Sequence, residues 1–277
     1  MRLKKRDITK AIAAFLLFLA LSLLGWQILG ECAFFVSLAI LAAMVWLLVM
    51  ENVRSGQALA RDLSRQQMSH YRQTESLFSL FSYLRPAHPL PPMRGWIISP
   101  DAANALMALI DERKPDVIVE AGSGVSTLLC AYALRATGKG RIVSLEHEAE
   151  YAARSQEALK QHELQAFASV HYAPLTPVTI GSERLLWYDT GALETVKSID
   201  LLIVDGPPTK GAALARYPAL PLLVERLSPA ALIFIDDGDR PAEKAVVERW
   251  LREFDGFARE RLDTEKGAIV LRRVRLP

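Results

Sequence analysis

The stretch Val117-Ile118-Val119-Glu120-Ala121-Gly122-Ser123-Gly124-Val125-Ser126-Thr127 decides the fold. Three β-branched aliphatic residues run into an acid, a Gly-x-Gly turn follows, and a helix-compatible segment opens behind it, which predicts a buried strand, a tight turn and a helix start. In an open α/β sheet this sequence of elements builds a ligand crevice at the carboxyl ends of the strands. Glycines in the turn let backbone approach the ligand closely. A dinucleotide fingerprint would want a third glycine where this chain has Thr127, which argues against NAD or FAD.

Outward from that stretch the same alternation repeats. Runs at 117–120, 141–146, 168–172, 201–205 and 231–236 read as strands, and 127–135, 148–161, 218–226 and 242–254 as helices. The segment following the third run, through Thr190, reads as loop. Ser99-Pro100-Asp101 supplies an N-cap, a proline at the first helical position and an early acid, ahead of a helix whose apolar face carries Leu106, Leu109 and Ile110. Two strands at 257–262 and 268–274, around a polar turn, close the chain as a hairpin. Strand alternating with helix predicts a Rossmann-like three-layer α/β/α sandwich with a mostly parallel, seven-stranded sheet.

With Glu120-x-Gly122-x-Gly124 after a strand, the sequence resembles the class I S-adenosylmethionine-dependent methyltransferases over about 96–274. The resemblance implies S-adenosylmethionine as cofactor, with its amino-acid part over the glycine-rich turn formed by Glu120, Gly122, Ser123, Gly124 and Ser126. Glu146, at the end of Ile142-Val143-Ser144-Leu145-Glu146, falls where the family binds both ribose hydroxyls, a task a carboxylate suits because it accepts two hydrogen bonds at once. By the same resemblance His147 and Ala173 lie near the adenine, and Asp205 beside the methyl donor.

Leu201-Leu202-Ile203-Val204-Asp205 and Ile233-Phe234-Ile235-Asp236-Asp237 both end in acids, so three carboxylates should converge at one edge of the sheet. Such a group is stable only if a cation or a basic partner neutralises it, and hard divalent ions prefer oxygen ligands. A metal is the economical answer. The pattern is similar to catechol and sugar O-methyltransferases that hold magnesium, which implies Asp205, Asp236 and Asp237 as ligands of Mg2+. Those enzymes often place a lysine base shortly after the first of these acids. Here Pro207 and Pro208 intervene, and Lys210 is the nearest candidate, its other reading being a solvated loop lysine. Asp205 and Lys210 are therefore the candidate catalytic groups. Arg216 and Tyr217 are candidates for binding an acidic or sugar acceptor, Asp239 and Arg240 read as members of an internal ion pair, and Trp96 as boundary packing.

The N-terminal region has another composition. No charged side chain occurs from Ala11 to Gly30 or from Cys32 to Met50, and only Glu31 stands between. Each run is about long enough to cross roughly 30 Å of hydrocarbon as a helix, which predicts a two-helix transmembrane hairpin over 1–50 turning near Gly30, with a re-entrant segment as the alternative. Arg2, Lys4, Lys5, Arg6 and Lys10 precede the first run and Arg54, Arg61, Arg65 and Arg72 follow the second, so both ends are expected on the cytoplasmic side of the inner membrane. Residues 51–95 read as a juxtamembrane helix and a linker with Pro86, Pro89, Pro91 and Pro92, whose apolar positions could face either the protein's own domain or a second copy; 96–277 reads as the methyltransferase domain.

Composition narrows the partners. Lys+Arg 33 against Asp+Glu 31 leaves a net charge of +2 without a basic block in the C-terminal two thirds, so nucleic acid is not expected. Two cysteines without metal or redox spacing suit a reducing compartment. The expected activity is methyl transfer to an oxygen of a sugar, glycan or other membrane-associated small acceptor, with the lipid bilayer as the other partner. The alternatives are a cofactor-binding scaffold without turnover and aminopropyl transfer on the same scaffold.

Overall fold

The computed structural model describes residues 5–93, 95, 97–208 and 214–274. Trp96 and Lys210 lie outside them. The chain divides into two compact units, Met1–Met68 and Ser69–Pro277.

In the first unit α1 (Lys5–Leu29) and α2 (Glu31–Leu84) are separated by Gly30 alone, which has a φ of 59° and so takes a left-handed conformation that glycine adopts without cost. The break falls where the sequence placed the turn. The segment expected to leave the membrane is one helix with the apolar run before it: α2 continues unbroken for 54 residues, through Gly56 and into the second unit. Among the described residues, one helix stretch, Phe34–Leu84, is long and apolar enough to cross a membrane, and Phe15–Ile28 is a shorter apolar one. Their large side chains, among them Phe35, Trp46 and Leu47, are exposed.

The second unit begins with the end of α2. Ser76, Leu80 and Leu84 share a face at helical spacing and are buried, whereas Phe78 and Phe81 are exposed. Helix α3 (Pro100–Arg113) follows, with Ser99 at the N-cap position. The Ser99 hydroxyl makes no capping bond; it donates to Asp101 Oδ1, which also accepts from the amide of Ala102, so the acid has taken over the cap's task.

The sheet contains β1 (Val117–Ala121), β2 (Arg141–Glu146), β3 (Ala168–Tyr172), β6 (Ile199–Val204), β7 (Leu227–Ile235), β8 (Phe257–Arg261) and β9 (Ile269–Arg273), in the order β3-β2-β1-β6-β7-β9-β8. The first five in that order run parallel; β9 pairs antiparallel with β7, and β8 with β9. Seven strands, mostly parallel, are what the alternation predicted. The segment read as loop after β3 is instead a two-stranded antiparallel sheet, β4 (Leu175–Ile180) and β5 (Glu183–Tyr188), turning at Gly181-Ser182. Its stability comes from burial: Trp187 and Tyr188 are fully enclosed, outweighing Pro177 in the partner strand.

Alternation along each strand divides the core. Ile118, Leu201, Ile203, Leu232 and Phe234 face a cluster with α3, α4 (Val125–Thr137) and α5 (Ala149–Gln161). Val119, Leu202, Val204, Ile233 and Ile235 face another, with the β4-β5 hairpin, α6 (Ala219–Leu223) and α7 (Pro241–Glu253). The parallel strands are thus buried on both faces, and acids gather at their carboxyl ends.

Candidate active site

The parallel order puts β1 beside β6, with β2 outside one and β7 outside the other. Chain connectivity reverses at the β1-β6 boundary, and a crevice opens there. Glu120, Glu146, Asp205, Asp236 and Asp237, on or just after four neighbouring strands, meet at this edge.

The turn after β1 is held by its backbone. Gly122 (φ 112°) donates its amide to Leu145 O at 2.9 Å, and a Cβ on it would reach 3.6 Å from Gly206 N. Gly124 (φ 151°) starts α4, and a Cβ there would meet nothing within 4 Å, so its outward face is open. Glu120 is fully buried; its Oε2 accepts from Thr127 Oγ1 at 2.5 Å and Ser144 Oγ at 2.6 Å, while Oε1 has no partner. Burial raises its pKa above the usual carboxylate range, against the hydroxyls of Ser126, Ser144 and Thr127. Thr127, where a dinucleotide fingerprint would have glycine, thus serves as a hydroxyl for Glu120.

Glu146, nearly buried, is braced from both sides. Oε2 accepts from Ser123 Oγ at 3.1 Å and Oε1 from the amide of Glu148 at 3.0 Å. His147 Nδ1 stands 2.9 Å from Oε1, its ring edge-on to Tyr188 with centroids 5.9 Å apart. Ala173 is buried and donates its amide to Glu146 O at 2.7 Å, which fixes the end of β3 against the end of β2. Every turn residue expected to meet the cofactor is therefore gathered around Glu120 and Glu146.

Asp205, Asp236 and Asp237 each offer a carboxylate oxygen, and these lie within 4.8 Å of one another. The sequence foresaw this meeting. Both oxygens of buried Asp236 lack a hydrogen-bond partner. Asp237 has φ 59°, a left-handed conformation that asparagine and aspartate tolerate better than most residues. Burial first, and Asp236 next, push Asp205 well above the usual carboxylate range; burial and Asp237 raise Asp236.

A basic partner, the other means of neutralising these acids that the sequence left open, is also present, at a residue the sequence assigned to the acceptor. Arg216 is 4% exposed. Its Nη2 donates to Asp205 O at 2.7 Å and lies 3.6 Å from both Asp205 Oδ1 and Asp237 Oδ2; Nη1 donates to Asp236 O at 3.1 Å and lies 3.5 Å from Glu243 Oε1. The expectation that Arg216 and Tyr217 contact an acceptor is corrected by this burial. Tyr217 turns away to donate to Glu253 Oε2 at 2.5 Å beneath the Arg249 guanidinium, and its pKa rises to about 12 through burial and that bond. Arg240 pairs with Asp237 at 2.8 Å, and Asp239 with Arg261 at 2.6 Å, so both belong to ion pairs but not to one shared pair.

Residues 119–238 match a family model described as a methyltransferase domain. Over these residues the chain is similar to methyltransferase domains. The crystal structure of an S-adenosylhomocysteine-bound methyltransferase from Podospora anserina is 19% identical, with a TM-score of 0.53 over 76% of this chain and 96% of that one. The O-methyltransferase TomG from Streptomyces achromogenes, in complex with S-adenosylmethionine, is 18% identical, with a TM-score of 0.50 over 76% and 96%. A methyltransferase from Geobacter sulfurreducens is 15% identical, with a TM-score of 0.50 over 65% and 81%. At these identities the likeness is one of fold. Among curated proteins none matches the sequence.

Proposed function

We propose that the methyltransferase domain transfers a methyl group from S-adenosylmethionine to an oxygen of a membrane-associated acceptor, a sugar or glycan, on the cytoplasmic side of a membrane spanned by α1 and the start of α2. The observation that carries the donor is the placement of Glu120 and Glu146 at the ends of adjacent parallel strands, flanking a glycine turn whose outer face is open at Gly124.

S-adenosylmethionine supplies an electrophilic methyl carbon when bound. Glu146, held by Ser123 and the Glu148 amide, would accept both ribose hydroxyls. The buried Oε1 of Glu120, which has no hydrogen-bond partner, would take one from the amino-acid part. Ala173 and His147 would border the adenine. With the donor bound, transfer would form a carbon–oxygen bond as the carbon–sulfur bond broke, and the acceptor hydroxyl would have to lose its proton. Asp205, whose carboxyl pKa burial and the neighbouring Asp236 raise above its ordinary value, would be placed to receive it when no ion is bound. Lys210 is the second candidate for that role. Holding donor and acceptor in line supplies much of the rate.

The acidic edge fits a divalent ion. Asp205, Asp236 and Asp237 would hold it, and the two unpartnered oxygens of Asp236 are the feature that supports this. Magnesium would lower the pKa of an acceptor hydroxyl bound to it. Membrane residence rests on the uncharged runs before Arg54 and on the basic flanks at both ends.

Calorimetry with S-adenosylhomocysteine tests the donor site. Binding by the full chain, weakened about tenfold or more in Glu146→Gln by loss of charge-assisted bonds, is the expected result; no binding by the unaltered chain overturns the proposal. Membranes given a methyl-labelled donor should then carry label in a glycan-linked fraction, whereas label confined to soluble small molecules removes the acceptor assignment.

A further inference from the structure

The acids at the ends of β6 and β7 already have a cation among them. Arg216 is enclosed, reaches two of the three clustered carboxylates through Nη2, and is tied to the main chain of both strand ends. On its other side stands Glu243, the third residue of α7, 1% exposed and with neither oxygen hydrogen-bonded. Three carboxylates, those of Asp205, Asp237 and Glu243, therefore compete for one guanidinium, and none holds it at contact distance: the ion-pair separations are 3.6, 3.6 and 3.5 Å. Arg216 is balanced between the acidic edge and Glu243. The oxygens without hydrogen bonds at that edge, both of Asp236 and Oδ1 of Asp237, are ones Arg216 does not pair with.

We propose that Arg216 is a resident counter-cation that opposes divalent-ion binding at Asp205, Asp236 and Asp237, and that Glu243 draws Arg216 back from these acids to make room for the ion. The acidic edge is thereby assembled before any metal arrives, and its metal affinity is set by where Arg216 sits between two sets of carboxylates. An ion approaching three ionised aspartates with a buried guanidinium beside them meets one unit less of negative charge than the aspartates alone would offer, and repulsion at such separations is large where water is excluded. Arg240 and Lys266 also face Asp237, at 2.8 and 3.8 Å, but from outside the cluster and with more exposure, so their fields are better screened.

The inference rests on the metal part of the proposed function, and Mn2+ binding to the full chain, followed by spin resonance and calorimetry, separates the two. Arg216→Met is expected to bind Mn2+ on the order of tenfold or more tightly than the unaltered chain. Its melting temperature should fall without ion and recover with Mn2+ by more than the unaltered chain gains. Arg216→Lys, which keeps the charge, should stay close to the unaltered affinity. Glu243→Gln should bind about threefold or more weakly, and most of that effect should disappear in the Arg216→Met background, because Glu243 acts through Arg216. Should Arg216→Met fold only with Mn2+ present and unfold on chelation, that result supports the proposal equally. Binding by Arg216→Met but none by the unaltered chain would uphold the counter-cation and remove metal assistance from the proposed function. Equal affinity in both proteins, no binding in either, or an undiminished Glu243→Gln effect without Arg216 would overturn the inference.

Discussion

At Gly206 one added methyl group would collide with the site's supporting layer: a Cβ there would lie 2.2 Å from Tyr188 Oη and 3.3 Å from Ala121 O. Gly206→Ala should therefore destabilise the domain by about 1–3 kcal/mol through overpacking, and Tyr188→Phe in the same chain should restore part of the loss by removing the hydroxyl. Thermal melts of the two single variants and the double variant measure this; strictly additive losses would show that the two residues do not meet. Glu120 sets a pH dependence of its own. Burial raises its folded pKa, so between the unfolded and folded values the unfolded chain holds fewer protons, and stability falls as pH rises through that window. Glu120→Gln cannot ionise and removes this loss. Relative to the unaltered chain it should gain stability progressively as pH rises from about 4, a trend that melting curves across pH would reveal. A constant offset would mean that Glu120 ionises as easily folded as unfolded.

The end of α2 can be probed one side chain at a time. Leu80 is fully buried with Leu84 against the core that includes α3, while Phe78, on another face, is 71% exposed. Leu80→Ala should cost about 2–5 kcal/mol in denaturant unfolding, and Phe78→Ala should stay within about 0.5 kcal/mol. Comparable losses at both would mean that Phe78 is covered by something besides this chain. Elements with strong periodicity were legible before the structure: β1, β2, β6 and β7 are apolar runs ending in acids, and the helices between them carry clear faces. The β4-β5 hairpin was not, although Gly181-Ser182 is a turn pair and Val178, Ile180, Leu185 and Trp187 alternate around it. Pro177, Thr176 and Arg184 hid that alternation, and tertiary burial of Trp187 and Tyr188 supplied what local preference lacked. The glycine turn and the acidic trio were readable because each lies directly after its strand. The meeting of Arg216 and Glu243 beside them was not, because one comes from a loop and the other from the first turn of α7, and sequence spacing does not encode that meeting.

At the scale of the whole molecule, the two units differ in what they bury. Ser69–Pro277 hides its aliphatic side chains on both faces of a sheet, whereas the apolar side chains described in Met1–Met68 are almost all exposed. In water that exposure opposes solubility, since apolar area left in contact with solvent costs about 25 cal/mol per Å²; in a bilayer the same surface is satisfied. The cysteines offer a direct reading of topology. Cys32 is exposed next to the Gly30 break, and Cys130 is fully buried in α4 with its thiol pKa pushed well above the usual value by burial, so folded protein presents a single reactive position. Basic residues flank both apolar runs and none lies between them, so under the proposed hairpin the Gly30 break would face the extracytoplasmic side. A thiol reagent that cannot cross lipid should therefore label the unaltered chain from the extracytoplasmic side of spheroplasts, and Cys32→Ser should abolish that labelling. Cys130→Ser should leave it unchanged. Labelling of Cys32 only from the cytoplasmic side would instead mean that the apolar runs enter and leave by one face, and the hairpin would give way to a re-entrant segment whose turn never crosses.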